Sequence, residues 1–146
     1  MKEIIKKVRE RREGFTMAEL LIVVAIIAVL VAIAIPVFTS QLDKSKAATD
    51  AANIRSGYAA VQTEVLTTNI SSSKNYYLKS DGSVAEATGT TSGAYVTKGD
   101  STKVENGSTI GGLAIGSSGA SWTKNQTIYY HVNSDGKVTK INTTNA

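Results

Sequence analysis

An apolar segment near the N-terminus constrains the fold of this chain more than any other feature. From Phe15 to Phe38 the sequence reads FTMAELLIVVAIIAVLVAIAIPVF, and Glu19 is the one charged residue in these 24 positions. As a helix the segment would span about 36 Å, which exceeds a bilayer hydrocarbon core of about 30 Å. The sequence therefore predicts a membrane-spanning helix at the beginning of the fold.

Positive charge is concentrated immediately before this segment. Residues 1–14 carry six basic and three acidic groups, a net of +3, whereas the whole chain of 146 residues carries +4, which leaves +1 for the other 132 residues. Basic residues on one side of a span predict a cytoplasmic N-terminus and an exported C-terminal part. The nearly balanced remainder gives no support for a nucleic-acid-binding domain. The basic residues are Lys2, Lys6, Lys7, Arg9, Arg11 and Arg12.

Composition excludes several kinds of active site. The chain has no cysteine and a single histidine, His131. Disulfides, thiolate metal sites and cysteine nucleophiles are therefore excluded, as is a multi-histidine metal site. A Ser-His-Asp triad would need His131, and no G-x-S-x-G elbow is present. The scattered carboxylates of Asp81, Asp100 and Glu105 match no EF-hand spacing. We expect a protein that is not an enzyme and that holds no metal and no cofactor.

The position of Glu19 separates three interpretations of the apolar segment. A secretory signal peptide has a shorter apolar part, and the small-x-small sequence Ala32-Ile33-Ala34 lies inside this one. A simple membrane anchor explains the length but not the carboxylate, which costs about 2.5–3.5 kcal/mol at the centre of a bilayer and less near its edge. The third interpretation is that Glu19 pairs with a cation formed later. Cleavage between Gly14 and Phe15 would create such a cation, an α-amine four residues before Glu19.

These residues resemble the N-terminus of a type IV prepilin. The shared pattern is a short basic leader, the Gly14-Phe15 junction, Glu19 at a fixed distance from it, and a long apolar helix that contains Pro36. The resemblance implies that a prepilin peptidase cuts between Gly14 and Phe15 and methylates the new N-terminus of Phe15. It also implies assembly roles for Glu19, which pairs with the amine of a neighbour, and for Pro36, which weakens the helix. The leader charges that belong to this pattern are Lys6, Lys7, Arg9, Arg11 and Arg12.

The resemblance also implies partners and a location. The precursor would cross the cytoplasmic membrane once, and an assembly ATPase and a platform membrane protein would draw it into a helical homopolymer at the cell surface. Such filaments serve adhesion, twitching motility, biofilm formation or DNA uptake. The absence of cysteine favours a Gram-positive source. Two alternatives stay open: a pseudopilin of a type II secretion or competence system, and a membrane-anchored surface binding domain.

Beyond the apolar segment the helix is predicted to continue with one apolar face. Ile54, Tyr58, Val61 and Val65 recur at spacings of four, three and four residues, which is the period of an amphipathic helix. We therefore predict one helix from Phe15 to Thr68. Pro36 is expected to kink or loosen it, and Gly57 could loosen it again.

The C-terminal part predicts a small β-domain. About half of residues 69–146 are Ser, Thr, Asn or Gly, yet strand-like pieces recur among them. The Asn133–Gly136 turn with its Asp-Gly pair predicts a hairpin, and Trp122 and the tyrosines are expected to anchor the core. Four glycosylation sequons, at Asn69, Asn106, Asn125 and Asn142, are attributed to chance. The predicted strands are Tyr76–Leu78, Ala94–Thr97, Leu113–Ile115, Thr127–Val132 and Lys137–Asn142.

The predicted fold class is therefore α+β, a long N-terminal helix packed against a small antiparallel sheet of about four strands, as in the pilin fold. The expected divisions are a cleaved leader (1–14), an apolar helix (15–38), its amphipathic continuation (39–68) and a β-sheet head domain (69–146).

Overall fold

A computed structural model describes residues 2–4 and 14–145 of the chain. Helix α1 runs from Met17 to Thr67 and continues without a break through Pro36. The predicted helix of 15–68 is therefore confirmed to within two residues at each end. The chain forms two compact units, Met1–Thr39 and Ser40–Ala146.

The first unit contains the apolar half of α1. The large apolar side chains from Leu20 to Phe38 are 45–69% exposed. An 18-residue window in this helix has a mean hydropathy of 3.4, and none of it is buried within the chain. A helix of this length and apolarity is long enough to cross a membrane, as the sequence predicts.

The second unit contains a four-stranded antiparallel sheet with the strand order β2-β1-β5-β6. A separate antiparallel ribbon consists of β3 and β4, and one turn of 3₁₀ helix covers Ser101–Lys103. The strands are β1 Lys74–Leu78, β2 Val84–Glu86, β3 Thr109–Ile110, β4 Leu113–Ala114, β5 Tyr129–Val132 and β6 Val138–Asn142.

Two of the predicted strands do not belong to this sheet, so the prediction is wrong for both of them. The segment predicted as Ala94–Thr97 makes only isolated bridges. Ala94 pairs with Lys79, whereas Val96 pairs with Thr127 on a different segment, so no continuous strand forms. The segment predicted as Leu113–Ile115 is shortened to β4 and pairs with β3 across Gly111 and Gly112. Both of those glycines have a positive φ, as a tight hairpin turn requires.

The fourth place in the sheet is taken by β2, which the sequence analysis missed. The connection from β1 to β2 contains Asp81-Gly82, and Gly82 has a φ of 86°. Asp-Gly between two apolar stretches is a hairpin signal, so this strand pair could have been predicted from the same rule that located the hairpin of β5 and β6.

The β5–β6 hairpin explains an irregular sequence pattern. Val138 and Ile141 are both buried although their spacing of three would place them on opposite faces of a regular strand. A register shift lies between His131 and Val132, because Val132 pairs with Val138 while His131 pairs with Lys140. The extra residue in β6 is Thr139, and this β-bulge turns both apolar side chains to the core.

The core lies between the second half of α1 and the sheet. The predicted helix face is confirmed, since Ile54 and Val61 are buried and Tyr58 and Val65 pack against them. Trp122 is 2% exposed and Tyr130 is completely buried, as expected of core anchors. The buried cluster consists of Ala51, Ile54, Val61, Tyr76, Leu78, Ile110, Ala120, Trp122, Ile128, Tyr130, Val132, Val138 and Ile141.

Gly57 has a packing role instead of merely loosening the helix. The Tyr130 hydroxyl donates a hydrogen bond of 2.8 Å to the carbonyl of Ile54, one turn before Gly57. A Cβ atom at position 57 would overlap the Tyr130 hydroxyl and would lie 2.7 Å from Leu78 Cδ1. Glycine therefore allows the sheet to approach the helix backbone.

We expect Gly57→Ala to destabilise the head domain by about 1–3 kcal/mol, because overpacking outweighs the better helix propensity of alanine. Urea unfolding of the full chain in detergent micelles, followed by the fluorescence of the single tryptophan, measures this change. Tyr130→Phe removes the overlapping oxygen, so the cost of Gly57→Ala should be smaller in that background. Equal costs in both backgrounds would contradict the packing role.

Candidate processing and assembly site

The start of α1 is closed by a reciprocal pair of hydrogen bonds. The backbone N–H of Thr16 donates to Glu19 Oε2 at 2.9 Å, and the backbone N–H of Glu19 donates to Thr16 Oγ1 at 3.2 Å. This is a capping box, which satisfies N–H groups that have no partner within the helix. The helix therefore begins at Met17, and Gly14, Phe15 and Thr16 lie outside it.

The capping box gives Glu19 a partner within its own chain. The sequence predicts that this carboxylate pairs with a cation formed later. The same residues also carry a local signal, since Thr16-Met17-Ala18-Glu19 is the S/T-x-x-E pattern of a capping box. Both members of the box follow the Gly14–Phe15 peptide bond, so the box can form before and after a cut at that bond.

The expected junction is open to the surroundings. Gly14, Phe15, Thr16 and Glu19 are exposed, and together they line an open depression of about 430 Å³. Phe15 is 82% exposed. A peptide bond that lies outside a helix can enter a binding cleft in an extended form. The predicted leader charges Lys6, Lys7, Arg9, Arg11 and Arg12 lie outside the described residues.

The apolar half of α1 carries a groove suited to a second apolar surface. Ile22, Ala25, Ile26, Val29 and Leu30 line an open groove of about 390 Å³. Their spacing places them along one face of the helix. Such a groove can take either lipid chains or the side chains of a neighbouring helix, which are of similar apolarity.

Pro36 lies within the exposed apolar half of α1. It has no N–H, so it cannot bond the carbonyl of Ala32 one turn earlier. Because of Pro36, this part of α1 has one backbone hydrogen bond fewer than a regular helix. Three residues later, the Thr39 hydroxyl donates a side-chain hydrogen bond of 2.9 Å to the carbonyl of Ile35.

In the second unit, the buried carboxylate of Asp50 holds a loop against α1. Asp50 is completely buried, and its oxygens accept hydrogen bonds from the backbone N–H groups of Lys98 and Gly99 and from the Tyr95 hydroxyl. The bond from Gly99 N to Oδ2 and the bond from Tyr95 Oη to Oδ1 are both 2.6 Å long. Asn53 Nδ2 donates to the same hydroxyl at 2.9 Å. No local sequence pattern predicts this cluster, because the groups that donate to Asp50 lie more than 40 positions away from it.

The loop carboxylates that were considered for calcium are used in local turns. Asp81 Oδ1 accepts hydrogen bonds from the N–H and the hydroxyl of Ser83, which lower the pKa of Asp81. Asp100 Oδ1 bonds the N–H and hydroxyl of Thr102 and caps the 3₁₀ turn. Within residues 2–4 and 14–145, no group of three or more His, Cys, Asp or Glu side chains is arranged to hold a metal.

The Tyr95 contact with Asp50 predicts loss of stability at alkaline pH. Burial, together with the hydrogen bond to Asp50, raises the pKa of Tyr95 to about 12, and burial also raises the pKa of Tyr130. An unfolded tyrosine loses its proton near pH 10. Because the folded pKa is raised, the stabilisation is complete below about pH 10 and is lost as the pH rises towards 12.

The free energy of unfolding should therefore fall between about pH 10 and 12, and it should fall less steeply in Tyr95→Phe. Urea unfolding at a series of pH values measures both slopes. Tyr129→Phe, which changes a half-buried tyrosine of β5, is the matched control and should keep the slope of the unmodified chain. If Tyr95→Phe also keeps that slope, the assignment to Tyr95 is wrong.

Comparison with known proteins bears on the N-terminal part of the chain. Residues 9–35 match the family model described as the prokaryotic N-terminal methylation motif. The matched range includes the Gly14-Phe15 junction, Glu19 and the apolar part of α1 as far as Ile35. Searches of the curated proteins and of the solved structures found no match.

The motif and the fold define a class of protein. A long apolar N-terminal helix packed with a C-terminal antiparallel sheet is an α+β arrangement like the pilin fold. Together with the methylation motif it supports a type IV pilin-like prepilin. This class is structural, and its motif implies processing by a prepilin peptidase and assembly into pili.

Proposed function

We propose that the chain is the precursor of a structural subunit of a type IV pilus. The observation that carries the proposal is the N-terminal methylation motif over residues 9–35, joined to an exposed apolar helix that begins at Met17. The precursor spans the cytoplasmic membrane with its N-terminus inside. It becomes part of a surface filament after the leader is removed.

Processing occurs between Gly14 and Phe15, and the new amine of Phe15 is methylated by the same prepilin peptidase. The exposure of this junction outside α1 supports the assignment, since the bond is accessible without unwinding the helix. Removal of residues 1–14 takes away a net charge of +3. That charge holds the N-terminus on the cytoplasmic side, so its loss favours extraction from the bilayer.

Assembly exchanges lipid contacts of the apolar helix for contacts with other subunits. An assembly ATPase and a platform membrane protein draw the subunits out of the membrane, and the grooved apolar face of α1 then packs in the filament core. Glu19 pairs with the Phe15 amine of a neighbouring subunit, which neutralises two charges in an apolar environment. Pro36 allows the helix to adjust within the core. The head domain faces outward.

The charge of Glu19 is tested separately from its capping role. Glu19→Ala should be processed but should lower filament yield by about tenfold or more, because an unpaired amine in the core costs several kcal/mol. Glu19→Gln keeps the capping box, since glutamine also serves at that position, but removes the charge. We expect Glu19→Gln to assemble as poorly as Glu19→Ala. Sheared-filament yield per cell measures both.

A second pair of variants isolates the capping box. Thr16→Val removes the oxygen that accepts from Glu19 N–H, whereas Thr16→Ser keeps it. Both variants keep the carboxylate and should retain most of the filament yield, with a cap worth about 1 kcal/mol. If Thr16→Val and Glu19→Ala fail equally while Glu19→Gln assembles normally, Glu19 acts as a helix cap and not as a charge partner.

Two alternative functions differ from that of a pilus subunit, either in the N-terminus of the mature chain or in the kind of filament that is formed. A pseudopilin of a type II secretion or competence system shares the cut at Phe15 but forms short rods, so long surface filaments exclude it. A membrane-anchored binding domain keeps residues 1–14. The mass of the N-terminal peptide from native cells decides: a methylated peptide that begins at Phe15 supports the prepilin, and one that begins at Met1 supports the anchor.

A further inference from the structure

An exposed turn that precedes β3 contains the dipeptide Asn106-Gly107. Residues Glu105 to Ser108 form a β-turn that is closed by a hydrogen bond of 3.2 Å from Ser108 N–H to the Glu105 carbonyl. Asn106 and Gly107 are the two central residues of the turn, and both are exposed. Gly107 has a φ of 84°, as the third position of a type II turn requires.

The side-chain amide of Asn106 and the backbone N–H of Gly107 take part in none of the hydrogen bonds found among the described residues. Among the described residues, other than the two chain neighbours, nothing lies within 4 Å of a Cβ atom placed at position 107. The absence of a side chain at Gly107 leaves its nitrogen accessible to the side-chain carbonyl carbon of Asn106.

We propose that Asn106 is a site of spontaneous deamidation in the folded head domain. The Gly107 nitrogen attacks Cγ of Asn106, and a new C–N bond closes a five-membered succinimide. The bond from Cγ to Nδ2 breaks, and ammonia leaves with the proton from the Gly107 N–H. Water then adds to one of the two ring carbonyls and reopens the ring, which leaves aspartate or isoaspartate at position 106.

Sequence and local structure both favour this reaction at Asn106 over Asn125, Asn133 and Asn142. Asn106 is the only one of the asparagines that is followed by glycine. Asn142 is buried, and its Oδ1 accepts from Thr144 N–H and lies 2.8 Å from His131 Nε2. Asn133 Oδ1 accepts from two backbone N–H groups within its turn. Asn125 is exposed, but the nitrogen that would attack, the backbone N–H of Gln126, donates a hydrogen bond of 3.0 Å to Thr97 Oγ1.

The consequence is a surface charge that changes with the age of the protein. One deamidation takes the net charge of residues 15–146 from +1 to 0, since a neutral amide becomes a carboxylate. This consequence rests on the proposed function: in a filament, every subunit would present the same turn, and older subunits would be more acidic. Isoaspartate also adds a backbone atom three residues before β3 begins.

The reaction is measured by ageing the full chain in detergent micelles at mildly alkaline pH. Trypsin then releases the peptide from Val104 to Lys124, and mass spectrometry follows its acid form over time. The acid form should accumulate with first-order kinetics and faster at higher pH, and isoaspartate methyltransferase should label it. The peptide from Asn125 to Lys137, which carries both Asn125 and Asn133, should remain unchanged.

Two matched variants establish the chemistry. Asn106→Gln should give no acid form in the same period, because glutamine would need a larger ring. Gly107→Ala should slow the reaction by about tenfold, because the methyl group hinders the attacking nitrogen. The fluorescence of Trp122 confirms that each variant keeps the folded head domain.

Two results would overturn the proposal. One is an unchanged Val104–Lys124 peptide after a period in which the urea-unfolded chain deamidates there completely. The other is conversion of the Asn125 peptide at the same rate, which would show that the turn has no special reactivity. Neither result depends on cleavage at Phe15 or on filament formation, so failure of the proposed function remains distinguishable.

Discussion

Gly14→Val is expected to leave the chain unprocessed, with its N-terminus at Met1. A branched side chain next to the scissile carbonyl should hinder the peptidase, and the cut fraction should fall by about tenfold or more. The structure makes this test specific, because a Cβ atom at Gly14 meets nothing within 4 Å in the part of the chain that the structure describes, and the φ of Gly14 is not in the left-handed region. The chain itself therefore tolerates valine there.

Gly14→Ala is the matched control, since it adds the smallest side chain at the same position and should be cut at an intermediate level. The mass of the N-terminal peptide and the mobility of the precursor on gels measure both variants. Unchanged fluorescence of Trp122 shows that the head domain is folded. Complete trimming of the valine variant at Phe15 would refute the assignment of the cleavage site.

Asp50→Ala is expected to destabilise the head domain by about 3 kcal/mol or more. The substitution leaves the N–H groups of Lys98 and Gly99 and the hydroxyl of Tyr95 without their acceptor. Each buried donor that loses its partner costs about 1–3 kcal/mol. The loop around Gly99 also packs directly on the backbone of Ala47, so it cannot easily move to find water.

Urea unfolding of the full chain in micelles measures this loss. Asp43→Ala is the matched control, because Asp43 lies on the same helix but is exposed, and it should change the stability by less than about 0.5 kcal/mol. Asp50→Asn should also be strongly destabilising, since one acceptor oxygen becomes an NH₂ group that faces N–H donors. If Asp50→Ala is as stable as Asp43→Ala, the carboxylate does not hold the loop.

Much of the candidate site could be predicted because its information is local. Gly14, Phe15, Glu19 and Pro36 were located from order and spacing along one segment, and the methylation-motif match covers the first three. Their roles in cleavage and pairing remain predictions. The capping box of Thr16 with Glu19 is equally local and was missed only because its pattern was not sought.

The fold was predictable to the extent that periodicity determines it. The length of α1 follows from an apolar segment and a face with the period of a helix, and the β5–β6 hairpin follows from its Asp-Gly turn. The strands Ala94–Thr97 and Leu113–Ile115 were wrong because short polar segments carry no information about which neighbour they pair with. Asp50 was missed as a buried group because a charged residue on a helix is normally exposed.

The sequence by itself determined the long helix, its apolar half and its buried face. These features depend on residues within a few turns of each other. Only the tertiary structure decided that residues 94–97 stay outside the sheet, that Gly57 admits Tyr130, and that Asp50 holds the loop at Lys98 and Gly99. Each of these depends on groups that are distant in sequence and meet only when the head domain has packed against α1.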